Sequence, residues 1–219
     1  MQFGEEYFRN LKYSQRERLI RRHILENLKW GSKAADSNLL NGRGKTALDV
    51  GCAYGYAVNI LGSLCYDAYG VDISNYSVKR AKKLYPADFL ISDIQKGIPF
   101  KKDSFDLLTC FEVIEHLAYP SQAIKNMFDA CKGVMICTTP NRTVEKPIKK
   151  VVRDLDETHI NVKTRDEWKR YIENLKCSFF TIETFFDASL RVRDKILFKS
   201  FKIPYFGLNL RILIRKYGD

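Results

Sequence analysis

Residues 46–55 read TALDVGCAYG. Thr46 to Val50 make a short apolar strand, and Gly51 and Gly55 punctuate a turn that leads into helical spacing over Tyr56 to Leu64. Strand, glycine turn and helix in that order open a βαβ unit. The following residues repeat the rhythm. AYGVDI (68–73) is a strand, Ser74 to Leu84 a helix, ADFLIS (87–92) a third strand and SFDLLTCF (104–111) a fourth. Pro120 to Ala130 is helical, and GVMICTT (133–139) is the fifth strand. Such alternation predicts a parallel sheet with helices on its faces and ligands bound beyond the carboxyl ends of the strands.

Outside this middle the pattern changes. Leu19, Ile20, His23, Ile24 and Leu28 recur at helical spacing within 14–29, ahead of the NGRG punctuation at 41–44. After Pro140, residues 141–163 are polar and basic and read as a covering loop. Thr164 with Glu167 three residues on is a capping-box pattern opening a helix to about Leu175. Two β-like runs follow, 178–188 and 208–217, with a basic, aromatic stretch between them.

The turn after the first strand excludes a dinucleotide fingerprint. G-x-G-x-x-G would need glycine at 53 and 56, where the chain has Ala53 and Tyr56. Asp49, two residues before Gly51, is unsuited to a pyrophosphate but suits a ligand carrying an ammonium group. Asp72 ends the second strand and Asp93 follows the third, so three acids stand at the ends of three successive strands.

With those acids, the stretch ALDVGCAYG resembles the first motif of class I S-adenosylmethionine-dependent methyltransferases. FDLLTCFEVIEHL (105–117) and TTPNR (138–142) are similar to the ubiquinone-biosynthesis O-methyltransferase group, over roughly residues 40–180. The resemblance implies an α/β, Rossmann-like, doubly wound and mostly parallel seven-stranded sheet with an antiparallel C-terminal strand pair. It reads 1–219 as a single methyltransferase domain, with a helical cap (1–45), a cofactor-binding core (46–140), a lid (141–163) and a C-terminal helix and strand pair (164–219). It also implies S-adenosyl-L-methionine as cofactor and S-adenosyl-L-homocysteine as product. The cofactor would lie on Asp49, Gly51, Cys52 and Gly55, with Asp72 and Ile73 at the ribose, Asp93 and Ile94 at the adenine, and Phe111 and Glu112 after the fourth strand.

Glu112, Glu115 and His116 stand at i, i+3 and i+4, so a helical turn opened at Glu112 would put all three on one face. His159, on the segment expected to fold back over the pocket, would join them. Glu115, His116 and His159 are the catalytic candidates, with histidine suited to taking a proton from an acceptor. The mixed oxygen and nitrogen set of Glu112, Glu115, His116 and His159 also suits a divalent metal, as in small-RNA 2′-O-methyltransferases, which this arrangement resembles. Packing roles for Glu115 and His116 are the remaining alternative. His23, alone among basic residues on its helix, receives no role.

The chain has 219 residues, 45% of them apolar and 29% charged, a balance that argues against disorder. Its net charge of +11 is unevenly spread: residues 1–45 carry +5, residues 46–139 carry −1 and residues 140–219 carry +7. The basic flanks are expected either to face an anionic partner or membrane surface, or to serve solubility. Six cysteines without a C-x-x-C pair, and an N-terminus with no apolar block, predict reduced, buried thiols and a cytoplasmic location. The expected acceptor is a small or lipid-like molecule, methylated on oxygen. RNA is the alternative acceptor, and cofactor binding without catalysis is the third reading.

Overall fold

The computed structural model describes residues 3–144, 158–192, 195–203 and 207–216. Eight strands form one sheet: β1 (Thr46–Val50), β2 (Asp67–Asp72), β3 (Asp88–Ile91), β4 (Phe105–Phe111), β5 (Cys131–Pro140), β6 (Phe179–Val192), β7 (Lys195–Lys202) and β8 (Asn209–Arg215). Their order is β3-β2-β1-β4-β5-β8-β6-β7. β1 to β5 pair in parallel, with the strand order reversing between β1 and β4, whereas β8 runs antiparallel to both β5 and β6, and β7 antiparallel to β6. The helices are α1 (Glu5–Asn10), α2 (Glu17–Ala34), α3 (Tyr56–Ser63), α4 (Asn75–Leu84), α5 (Pro120–Ala130) and α6 (Arg165–Glu173).

The central strands are apolar on both faces because both faces are covered. Leu48, Val50, Leu108 and Cys110 point into a core shared with Ile124 and Met127 of α5 and Trp168 and Ile172 of α6. Ala47, Leu107, Ile136 and Leu213 point the other way, against Ile24 and Leu28 of α2 and Ile60 and Leu61 of α3. Close approach of α2 depends on Gly31, where a Cβ would come within 2.3 Å of Ile136 Cδ1. The expected capping box is present: Thr164 Oγ1 accepts from the Glu167 amide, and Glu167 accepts from the Thr164 amide.

The sheet has eight strands where the sequence predicts seven. The extra one is β7, KILFKSFK, an edge strand paired on one side only, with Leu197 and Phe201 exposed. A half-covered edge need not be apolar on alternate positions, so the usual signal is missing. Within the 1–45 segment read as a helical cap, α1 and a 3₁₀ turn at Tyr13–Arg16 precede α2, where the spacing marks a single helix over 14–29. Cys52, Cys110, Cys131 and Cys137 are free and buried, but Cys65 is exposed and Cys177 half-buried, which corrects the expectation that all six lie inside. Among the described residues, no helix is long and apolar enough to cross a membrane.

Candidate active site at the carboxyl ends of the strands

The turn after β1 is held in a left-handed backbone at Gly51 (φ 73°), Ala53 (φ 45°) and Gly55 (φ 81°). The amides of Gly51 and Cys52 both donate to the Val71 carbonyl of β2, and Gly55 donates to Cys52. Asp72 fastens the turn from the end of β2: one carboxylate oxygen accepts from the Ala53 amide at 2.8 Å, the other from Ser74 at 2.7 Å. A carboxylate has about four lone-pair directions, so acceptor capacity remains for a hydroxyl of a ligand. Burial raises the Asp72 pKa against the opposing effect of those amides.

Asp49 lies below this turn and is 4% exposed. Its Oδ1 accepts from Thr109 Oγ1 of β4 at 2.7 Å, and among the described residues no cation pairs with it. Burial pushes its pKa up to about 7, the Thr109 hydrogen bond opposing and the Asp72 charge assisting. A buried carboxylate without a counter-ion is costly unless a ligand supplies the charge. The ammonium of a bound amino acid moiety fits this position. Burial, then the charge of Asp49, also raises the hydroxyl pKa of Tyr13, which the 3₁₀ turn carries toward Asp49 and Asp72.

The remaining cofactor candidates differ in how they sit. Ile73 is 49% exposed and lines, with Phe3, Ser74 and Tyr76, a cleft of about 610 Å³. Asp93 is partly exposed, bound by the Gln95 amide and 3.7 Å from Lys96 Nζ. Cys52 and Ile94 point away: the Cys52 side chain packs beside Gly70, and Ile94 joins the α5 side of the core. Phe111 is half-buried at the end of β4, in register with Thr138 of β5.

Glu112 departs from the predicted helical turn. It is left-handed (φ 54°), its amide donates to the Thr138 carbonyl, and only afterwards does a 3₁₀ turn form over Ile114–His116. It therefore shares no helical face with Glu115 and His116, and its buried Oε1 has no hydrogen-bond partner among the described residues. Glu115, His116 and His159 do lie together, with one ligand atom from each all within 4.8 Å of one another. The His116 and His159 ring centres are 4.9 Å apart. Residues 158–163 are stitched to this loop. His116 Nδ1 meets Thr158 Oγ1 at 2.7 Å, and Asn161 donates from its amide to the Glu115 carbonyl and from its side chain to the Leu117 carbonyl. Most of the predicted lid, 145–157, lies outside the described residues.

An aromatic N-terminal segment covers the same mouth. Phe8 stacks on Tyr54, Tyr13 on Tyr56, and the Phe3 ring sits 5.7 Å from that of His116 while its carbonyl accepts from Ser74 Oγ. This contact between the N-terminal segment and the pocket has no short-range signal in the sequence, because its partners lie 43–113 residues away.

Comparison with known proteins agrees with this geometry. A family model described as a methyltransferase domain matches residues 13–178. A probable S-adenosylmethionine-dependent methyltransferase of Mycolicibacterium smegmatis is 29% identical over 110 residues, covering 48% of this chain and 41% of that protein. A ubiquinone biosynthesis O-methyltransferase of Psychrobacter cryohalolentis is 30% identical over 132 residues, covering 54% and 51%. The chain thus spans about half the length of the curated relatives it matches. The structure of a SAM-dependent methyltransferase from Archaeoglobus fulgidus superposes with a TM-score of 0.70 at 16% identity, covering 97% of this chain and 100% of that one, a likeness of fold. The glycine turn, the acids closing the first strands and the matched domain agree, and the chain belongs to the S-adenosylmethionine-dependent methyltransferase family.

Proposed function

We propose that the protein transfers a methyl group from S-adenosylmethionine to an oxygen of a small or lipid-like acceptor. The observation that carries the reading is Asp49, a buried carboxylate with no cation beside it among the described residues, beneath a left-handed glycine turn. When bound, the cofactor supplies a methyl group on a positively charged sulfur, which is already an activated leaving group. The chain's own residues have three tasks. Asp49 holds the ammonium, Asp72 the ribose hydroxyls, and the Phe3–Tyr13 segment excludes water. Positioning of this kind contributes on the order of several kcal/mol to lowering the barrier.

The second requirement is removal of the acceptor's proton. Glu115, His116 and His159 supply a carboxylate and two imidazoles at the mouth, with the Glu115 Oε1 to His116 Nε2 distance at 3.9 Å. Thr158 fixes the His116 ring from Nδ1, which is how an outer partner orients a metal-ligating or proton-moving histidine. The three groups fit a divalent ion, which would lower the acceptor hydroxyl's pKa; without one, His159 takes the proton itself. The metal version favours a ribose hydroxyl of RNA as the acceptor.

Transfer of labelled methyl to a panel of phenols, lipid hydroxyls and short RNAs tests the reading. His159→Ala is expected to slow turnover roughly 10²–10⁴-fold with S-adenosylhomocysteine binding intact. Chelation that stops turnover, with recovery on Mg²⁺ or Mn²⁺, selects the metal version; insensitivity to chelator selects acid–base chemistry. No binding of S-adenosylhomocysteine at millimolar concentration would overturn the proposal.

A further inference from the structure

We infer that His23 and Asp187 form a second polar site on the acceptor side of the pocket, one that takes a hydroxyl group of the methyl acceptor. The inference rests on the methyltransferase reading above but uses none of Glu115, His116 and His159.

His23 lies on α2 and Asp187 on β6, separated by 164 residues, yet His23 Nδ1 is 2.7 Å from Asp187 Oδ2. Nδ1 therefore carries a proton donated to the carboxylate. The other nitrogen, Nε2, faces Asn27 Nδ2 at 3.2 Å and Thr138 Oγ1 at 3.3 Å. The Asn27 amide is oriented independently, because the same Nδ2 donates to the His23 carbonyl at 2.9 Å. Nε2 then offers a single lone pair to two donors at long range, so only one of the Asn27 amide and the Thr138 hydroxyl is satisfied there and the other is left to a ligand.

The position points to the acceptor. Asp49 and Thr109 pair in register between β1 and β4, and Phe111 lies two residues further along the same face of β4. Phe111 in turn pairs with Thr138, whose hydroxyl faces His23. The imidazole stands edge-on to Phe111 at 6.0 Å and beside Phe185 at 6.1 Å. The dyad therefore continues the row that begins at Asp49, beyond the end of β4, on the side away from the ribose acid Asp72. His23 and Asp187 side chains are 16% and 15% exposed, sheltered but open to a ligand.

A second observation is independent of the dyad's geometry. Asn27 is 1% exposed, and among the described residues neither its Oδ1 nor the buried Asp187 Oδ1 has a hydrogen-bond partner. Such atoms are costly unless a ligand donates to them. Two open acceptor oxygens are thus joined by the one donor that the Nε2 lone pair leaves over. A hydroxyl, which both donates and accepts, matches that mixture better than an ammonium group, which only donates. The flanking Phe111 and Phe185 rings supply an apolar seat for the carbon skeleton bearing it.

The test uses the full chain with ¹⁵N-labelled histidine, loaded with S-adenosylhomocysteine, and three probes: phenol, anisole (the same ring with no donor) and benzylamine. Phenol is expected to shift the His23 Nε2 signal saturably, and anisole at the same concentration to leave it in place. His23→Ala and Asp187→Asn should each weaken phenol binding about three- to tenfold while the homocysteine ligand binds as before. If the dyad only ties α2 to β6, the variants lose stability but phenol and anisole bind alike in all forms, which overturns the inference. Tighter binding of benzylamine than phenol would overturn the hydroxyl assignment. Should either variant not fold, the phenol–anisole comparison on the unmodified chain still decides. Failure of S-adenosylhomocysteine to bind would count against the methyltransferase reading alone, since phenol can be titrated against the unloaded protein.

Discussion

With Asp49 as the proposed seat of the cofactor's ammonium group, cofactor binding is expected to depend on pH. The ordinary Asp49 pKa of 3.8 rises to about 7 in the folded chain because the carboxyl is buried without a counter-ion. A difference of about 3 units corresponds to roughly 4 kcal/mol between the two protonation states. For an acid whose folded pKa is raised, the folded state binds more protons between the two values. Its contribution to stability is therefore fully present below about pH 4 and is lost as pH rises through about 7. A ligand ammonium against the carboxylate reverses the balance, favouring the ionised form and expelling the proton. Calorimetry of S-adenosylhomocysteine binding from pH 5.5 to 8, in two buffers of different ionisation enthalpy, measures this. Below about pH 7 the binding constant should rise close to tenfold per pH unit with one proton released, then level off. Asp49→Asn should remove the slope, weaken binding by about 1.5–3 kcal/mol, and raise the stability of the ligand-free protein at pH 8. Affinity flat from pH 5.5 to 8, or an Asp49→Asn variant less stable than the parent at pH 8, would refute the reasoning.

Asp72→Ala removes the acceptor for the Ala53 and Ser74 amides and the acceptor proposed for the ribose, and calorimetry should show a loss of ~1–3 kcal/mol in S-adenosylhomocysteine binding. At Gly55 a Cβ would meet Phe89 Cζ at 2.7 Å on a left-handed backbone, so Gly55→Ala should cost about 1–3 kcal/mol in urea unfolding. Thr164→Ala breaks the capping box of α6 and should cost about 1 kcal/mol by the same measurement, with cofactor affinity unchanged.

The core from β1 to β5 was legible because each strand is a short apolar run bounded by glycine, proline or an acid, even in β3, where Leu90 and Ile91 are exposed, and each helix has its own periodicity. Those signals are local. Glu112 shows their limit: its i, i+3, i+4 relation to Glu115 and His116 assumed a helix, whereas the backbone turns left-handed there to let its amide reach Thr138. His159 could be named because it stands on the segment expected to fold back over the pocket, but its neighbour Thr158, which orients His116, gave no sign. His23 receives no role from the sequence because it stands alone among basic residues on its helix. Its partner is on β6, and a hydrogen bond spanning 164 residues leaves no spacing to read.

The position of β8 also dictates an order of assembly. β6 does not pair with β5; it joins the sheet only through β8, which is made after it and slots between the two. During synthesis, the β1–β5 half can close as soon as Pro140 has emerged, but the β6–β7 hairpin must wait, with its sheet-facing edge bare, until residues 209–215 leave the ribosome. Such late, long-range pairing is slow and exposes the nascent chain to association. Asp187 therefore reaches His23 among the last contacts formed, so a stalled or truncated chain could hold the cofactor-binding half nearly complete and yet lack the wall that His23 and Asp187 share.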